Sequence, residues 1–183
     1  MEQLALRYPV KADLKEALVP DFHSFRQALN VASADQRVLV LIYAPHDAGQ
    51  ARRKSLCAVA NDDGIIGRFH FDFDHETKWQ ESIDGSSDET GIYLINPGEF
   101  GLSGQVMKRL PLDTPNDQVI AALTTANQKF ASSAIKKDYS THVRKGRSQG
   151  IYFEGGVPYG EDIDGDGEID EGRGGRRRRG RGR

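Results

Sequence analysis

The sequence predicts an α/β domain, with a mostly parallel sheet covered by helices on both faces, followed by a charged tail. Three observations lead to this class. The continuous apolar run VLVLIY, residues 38–43, has the pattern of a strand buried on both faces. Segments before and after it place apolar residues every three or four positions, as amphipathic helices do. Strand and helix patterns then alternate along the chain, which is the order found in α/β domains.

Composition limits the possibilities further. The chain has 183 residues, with 27 acidic residues, 25 Lys plus Arg and a net charge of −2, which fits one domain with a tail better than two domains. The single cysteine excludes an internal disulfide and any metal site built from several thiolates. No run is apolar enough to span a bilayer, and residues 1–18 do not resemble a secretory signal. We therefore expect a cytoplasmic protein, or an exported one if an upstream signal has been removed.

The first half of the chain contains four predicted elements. Residues 4–8 alternate weakly and suggest a short edge strand. A helix is predicted over 22–34, with Asp21 as its N-cap, from the spacing of Phe22, Phe25, Leu29 and Ala32. After the buried strand, a second helix is predicted from about residue 47 to 60, where Asn-Asp-Asp-Gly ends it.

The second half begins with a clear alternation. Phe69, Phe71 and Phe73 alternate with polar residues and predict a strand, whereas residues 81–89 predict a loop or a frayed helix. Residues 91–95 and 105–110 predict a hairpin that turns at Asn96-Pro97-Gly98. A last helix is predicted with Asp113 or Thr114 as its cap, Pro115 in its first turn, and one apolar side formed by Val119, Ile120, Leu123 and Phe130.

Changes in composition divide the chain into five parts. These are an N-terminal extension (1–21), the α/β domain (22–135), a linker (136–160), an acidic segment (161–172) and an Arg/Gly-rich tail (173–183). Seven acidic residues in 161–183 precede seven arginines, so the charge of the tail is segregated. The last two parts contain too few apolar residues to offset the entropy of ordering, and we expect them to be disordered when unbound.

Four stretches together resemble the thioredoxin fold over roughly residues 22–132. They are SFRQALNVASADQRVLVLIYAP, FHFDFD, GIYLINPGEF and TPNDQVIAALTTANQKF, which look like the leading helix and central strand, the next strand, the hairpin strand and the closing helix. The resemblance implies a three-layer sandwich with a mixed central sheet. A redox thioredoxin has Trp-Cys-x-x-Cys where this chain has residues 46–50, so Asp47 and Gln50 occupy the cysteine positions.

Dithiol–disulfide exchange needs an attacking thiolate and a resolving thiol, and this segment has neither. Glu89-Thr90-Gly91 also stands where the family places its cis-proline. We therefore do not expect the family's oxidoreductase activity. Asp47 and Gln50 instead predict a capping box at the start of the helix, and the alternative is a small-ligand or anion site at the same helix end.

Two further groups have side chains capable of chemistry. Cys57 lies among small apolar residues, which favours a buried, inert thiol over a single-cysteine enzyme, although Arg53 and Lys54 lie one turn before it. His70, Asp72 and Asp74 project from one side of a strand, with His75 next. Imidazole and carboxylate groups can bind a divalent cation, and the alternative is a polar, partly solvated face near the sheet edge.

The segment DIDGDGEIDEG resembles the calcium loop of EF-hand and dockerin-type modules. Its candidate ligands are Asp162, Asp164, Asp166, Glu168 (through its carbonyl) and Asp170. Gly167 occupies the position of the sharp turn, but Arg173 stands where a bidentate Glu should close the shell. We expect weak Ca²⁺ binding, and a solvated acidic stretch is the alternative.

The Arg/Gly-rich tail resembles a short RGG-type segment. Its arginines can pair with phosphates of a nucleic acid or another polyanion, or with the acidic segment beside them; they are Arg173, Arg176, Arg177, Arg178, Arg179, Arg181 and Arg183. Calcium would compete with pairing inside the chain and release the arginines. The leading hypothesis is a redox-inactive thioredoxin-like binding or scaffold module with an unidentified protein partner. Polyanion binding through the tail and enzymes using Cys57 or the His70 face are the alternatives.

Overall fold

The computed structural model describes residues 19, 21–22, 24–133 and 139–149, and it confirms the α/β class. The strands are β1 (Val38–Tyr43), β2 (Phe69–Asp74), β3 (Ile83–Asp84), β4 (Gly91–Pro97) and β5 (Gly104–Leu110). The helices are α1 (Phe25–Asp35), α2 (His46–Ala60), α3 (Asn116–Ser133) and α4 (Tyr139–Ser148), with short 3₁₀ turns at Thr77–Ser82 and Glu99–Gly101. Within these residues, no helix combines the length and apolar character needed to cross a bilayer.

The five strands form one open sheet in the order β2-β1-β4-β5-β3. β1 runs parallel to β2 and antiparallel to β4, while β5 is antiparallel to β4 and parallel to β3. The sheet is therefore mixed and not mostly parallel, because the β4–β5 hairpin adds two antiparallel pairings. Within the described residues β2 forms one edge of the sheet. The polar residues that alternate with its phenylalanines are consistent with that position.

The core has two halves, one on each face of the sheet. Every residue of β1 is buried, and its alternate side chains point to opposite faces. Val38, Val40 and Ile42 belong to the half that also contains Leu56 of α2 and Leu123 of α3. Leu39, Leu41 and Tyr43 belong to the other half, with Leu29 of α1 and Trp79. Burying side chains of this size contributes about 1.5–3 kcal/mol each, so β1 anchors both layers of helices.

The start of α1 differs from the prediction. The helix begins at Phe25, and its N-cap is Ser24, whose Oγ accepts a hydrogen bond from the Gln27 amide (3.3 Å). Asp21 is not the cap, because its carboxylate accepts from the Phe73 amide of β2 (3.1 Å) and pairs with Arg53 of α2 (3.2 Å). The apolar face predicted for α1 is confirmed, since Leu29 and Ala32 are buried and Phe22 and Phe25 pack against them.

Three other segments contain structure that the sequence pattern does not indicate. The predicted loop 81–89 includes the end of a 3₁₀ turn and the short strand β3, because buried Ile83 pairs with Gly104 of β5. The hairpin turn is longer than predicted and contains the 3₁₀ turn Glu99–Gly101. Helix α4 lies in the predicted linker. Most of its residues are polar or charged, so no helical spacing of apolar residues is visible in the sequence.

At the last helix, Pro115 precedes the first turn of α3, and its carbonyl accepts from the Val119 amide (3.0 Å). Among the described residues, those up to Lys145 belong to one compact unit. The five-part division made from the sequence stays a prediction, and the predicted strand at 4–8 lies outside the described residues.

Candidate functional site

A cleft of about 710 Å³ opens at the carboxyl ends of the parallel strands β1 and β2. It lies between α1, the first turn of α2, the end of β2 and the 3₁₀ turn Thr77–Ser82. Such crevices form where the connections that follow two neighbouring strands leave the sheet in different directions. They are the usual binding positions in open α/β sheets. Here β1 passes through Ala44-Pro45 into α2, whereas β2 continues into the 3₁₀ turn.

Four aromatic side chains line the cleft, namely Phe22, Phe25, Phe73 and Trp79. Trp79 is 1% exposed and packs edge-on against Tyr43 and Tyr93, with ring centroids 5.5 and 4.9 Å away. Its indole Nε1 is buried and has no hydrogen-bond partner among the described residues. An unsatisfied buried donor of this kind costs about 1–3 kcal/mol.

The mouth of the cleft carries two imidazoles around an aromatic ring. The His46 ring lies 6.3 Å from the His75 ring, and Phe73 stacks on His75 at 6.2 Å. Gly49 makes this packing possible, since a side chain there would overlap the Phe73 ring. Charged residues of both signs lie around the rim of the cleft. The acidic ones are Asp21, Asp74, Glu76 and Glu81, and the basic ones are Arg26 and Lys78. No group of three or more metal-binding side chains occurs among the described residues.

We call the described residues Val19, Asp21 and Phe22 the strap; Asp21 and Phe22 form one wall of the cleft. Arg53 holds the strap from α2, because its guanidinium donates to the Val19 carbonyl through Nη2 (2.9 Å) and pairs with Asp21. The Phe22 amide donates to Asp72 Oδ1 on β2 (3.2 Å). The strap is therefore tied to both α2 and the edge strand.

Asp72 is the most unusual ionisable group in this region. It is 2% exposed, and its Oδ2 has no hydrogen-bond partner among the described residues. Burial raises the pKa of Asp72 from 3.8 to about 8, and the neighbouring Asp21 carboxylate raises it further, against the lowering effect of the Phe22 amide. Asp72 is therefore protonated at neutral pH.

The prediction of a capping box at the start of α2 is wrong. The helix begins at His46, its N-cap is Pro45, and no side chain caps it. Asp47 thus falls inside the first turn with a fully exposed side chain 3.3 Å from His46 Nδ1, where it still complements the helix dipole. Gln50 lines the cleft, and its side-chain oxygen accepts from Arg53 (3.4 Å).

Cys57 is half-buried and not fully buried as predicted, because it lies near the exposed C-terminal end of α2. Its Sγ lies 3.6 Å from the Asn61 side-chain amide, and it does not line the cleft. That position gives no support to a single-cysteine enzyme.

The three polar residues on one side of β2 have separate partners. His70 pairs with Asp35 of α1 (2.9 Å), Asp72 accepts from the strap, and Asp74 accepts from the Glu76 amide (2.8 Å). Each carboxylate or imidazole is thus engaged in holding a neighbouring segment. The candidate calcium ligands Asp162 to Asp170 and the arginines Arg173 to Arg183 lie outside the described residues.

Sequence reasoning missed the residues that define the cleft, which are Asp21, Arg53 and Trp79. The sequence offers one signal for them, since Trp79 is the only tryptophan and stands in a polar stretch. A second, shallower hollow of about 640 Å³ lies across α2, with Arg52 and Arg109 in its lining. Both guanidinium groups already donate to neighbouring carbonyls, Arg52 to Thr114 and Arg109 to Thr90, so we regard the first cleft as the candidate site.

Comparisons of the chain with protein-family models, curated proteins and solved structures found no match. The fold and the site geometry together define an α/β domain with a five-stranded mixed sheet and a lined cleft at the carboxyl ends of its parallel strands.

Proposed function

We propose that residues 22–135 form a redox-inactive, thioredoxin-like binding module whose ligand occupies the cleft. The sheet order supports the resemblance, because a central strand runs parallel to one neighbour and antiparallel to a hairpin strand on its other side. The entry from β1 through Ala44-Pro45 into α2 supports it as well. The function proposed is recognition, with the sheet as a rigid frame for the cleft.

One observation carries this proposal. The helix start at which the redox family holds two thiols has Asp47 and Gln50, while directly beside it lies a cleft with four aromatic side chains in its walls. Aromatic walls with a small number of polar and charged groups are typical of small-ligand sites. The half-buried Cys57 lies elsewhere on α2 and contributes nothing to the cleft.

The chemistry of the lining indicates the ligand class. Phe25, Phe73 and Trp79 suit an apolar group the size of one ring, and the cleft volume lies within the range of small-ligand sites. The charged residues of the rim, among them Arg26 and Lys78, lie where a polar substituent on that group would meet them. An aromatic or branched side chain of a protein partner and a free small molecule share this chemistry.

Titration with benzyl alcohol tests the proposal, since Trp79 is the only tryptophan and its fluorescence reports on the cleft. We expect saturable quenching with a millimolar Kd, about −4 kcal/mol. Phe25→Ala should weaken binding about 2- to 10-fold through loss of one aromatic contact. Ser82→Phe, which fills the cleft without removing a core contact, should abolish it.

Cys57→Ser is the matched control, because the thiol lies on α2 but outside the cleft, and it should leave the Kd unchanged. Non-saturable quenching, or equal binding by the wild type and Ser82→Phe, would contradict the proposal.

The tail adds a separate proposed activity. A calcium-responsive acidic segment and a polyanion-binding tail follow from the sequence of residues 161–183 alone. Deleting residues 173–183 should remove most salt-dependent RNA binding, measured as a mobility shift at two salt concentrations. Undiminished binding after the deletion would reject the tail as the polyanion site, and an RNA affinity that calcium does not alter would reject the calcium response.

A further inference from the structure

The strap passes around the sheet at β2, which is an edge strand within the described residues. Val19 belongs to the half of the core that contains α2 and α3, whereas Phe22 packs against the half that contains α1. Between them, Asp21 accepts from the Phe73 amide on the edge strand. The strap thus joins the two faces of the domain by crossing β2, and Asp21 and Phe22 also line the cleft.

Val19 is buried in the core and Phe22 packs on its other half, and the side-chain hydrogen bonds and ion pairs of the strap with other described residues involve ionisable groups. Arg53 is 8% exposed and binds both the Val19 carbonyl and Asp21. On the other face, Asp72 is buried beneath Phe22, with one oxygen accepting the Phe22 amide and the other without a partner in the described residues. Beside this packing, the polar contacts of the strap depend on the charge state of a buried carboxyl group and on one guanidinium.

We propose that the strap is a movable wall of the cleft, held in place by Asp72 and Arg53 and released at alkaline pH. This inference rests on the proposed function, because it assigns the strap a role in access to the same cleft. Release removes Asp21 and Phe22 from the wall and exposes the floor, where Trp79 lies.

The groups that face Asp72 explain the direction of the effect. From the strap, the Asp21 carboxylate repels a negative charge on Asp72, and Arg53 of α2 is already paired with Asp21. On β2 itself, Asp74 accepts from the Glu76 amide and His70 is paired with Asp35 of α1. β1 presents only Leu41 opposite Asp72. Within the part of the chain that the structure describes, an ionised Asp72 thus meets no cation that is not already paired. The response of lowest free-energy cost is for the strap to leave and admit water.

Acrylamide quenching of Trp79 fluorescence tests this from about pH 6 to about pH 9. In the wild type we expect the quenching constant to rise at least about twofold, with a midpoint near pH 8, the pKa of Asp72. Asp72→Asn cannot ionise and should show a low, flat profile. Asp84→Asn, on β3 at the opposite edge of the sheet, should behave as the wild type.

A flat wild-type profile, or a rise that persists in Asp72→Asn, would overturn the inference. So would a loss of far-UV circular dichroism at the same midpoint, since that would report global unfolding and not movement of a wall. Failure of benzyl alcohol to bind at about pH 6, together with the expected rise in quenching, would instead reject the proposed function while the strap still moves.

Discussion

Asp72→Asn is expected to stabilise the domain at neutral pH, and the gain is expected to grow as the pH rises. The folded state holds the proton on Asp72 up to about pH 8, whereas the unfolded state releases it near pH 3.8. Between these values the unfolded state binds fewer protons, so the free energy of unfolding of the wild type falls with rising pH. The Asp72 contribution to the slope approaches about 1.4 kcal/mol per pH unit.

The asparagine keeps an acceptor for the Phe22 amide and offers its amide hydrogens towards Asp21. Urea unfolding at several pH values between about 4 and about 8 measures the difference between the two proteins. The stability gain should be small near pH 4, increase towards pH 8 and level off above it. A difference that does not change with pH would show that Asp72 is ionised in the folded state, and Asp84→Asn controls for the loss of one surface charge.

Gly101→Ala is expected to cost about 3 kcal/mol of stability, from backbone strain and steric overlap together. Gly101 has a positive φ of 63°, and a Cβ there would lie 2.5 Å from Asn30 Cα and 2.7 Å from the Leu29 carbonyl. Because both atoms belong to the backbone of α1, neither can move aside without displacing the helix. The same junction is fixed by the Asn30 side chain, which donates to the Phe100 carbonyl (3.1 Å).

Gly67→Ala is the matched control for this change. Gly67 also has a positive φ, 73°, but no atom lies within 4 Å of its ideal Cβ, so it should lose only about 1 kcal/mol from strain. Chemical denaturation of the two variants gives the difference, which isolates the steric contribution of α1. Equal losses would mean that the turn at Glu99–Gly101 does not pack on α1 as described.

The sequence predicts the main strands and helices of this domain well, because they follow from local patterns of residues. The unbroken apolar run of β1 requires burial on both faces, and the alternation of Phe69, Phe71 and Phe73 requires a strand with one polar side. The end of α2 at Asn61 follows from a cluster of turn formers. In each case the residues that determine the structure are adjacent in the chain.

The cleft could not be predicted in the same way, since it depends on contacts between distant residues. The sequence around Asp21 predicts an N-cap, but in the fold Asp21 contacts Phe73, 52 positions later in the chain, and Arg53, 32 positions later. Asp72 looks like a solvated strand residue until Phe22 covers it. The prediction of a capping box failed for a different reason, because the N-cap is Pro45, two residues before Asp47, which places Asp47 inside the first turn.

Mapping bound benzyl alcohol by amide NMR shifts is the most direct measurement of the central claim, which is that the cleft binds a ring-sized apolar group. We expect the largest shifts at His46, Gln50, Phe73 and Trp79, with little change at Cys57 and Ala60 on the same helix. The largest shifts around Cys57, or no concentration-dependent shift in the cleft residues, would contradict it.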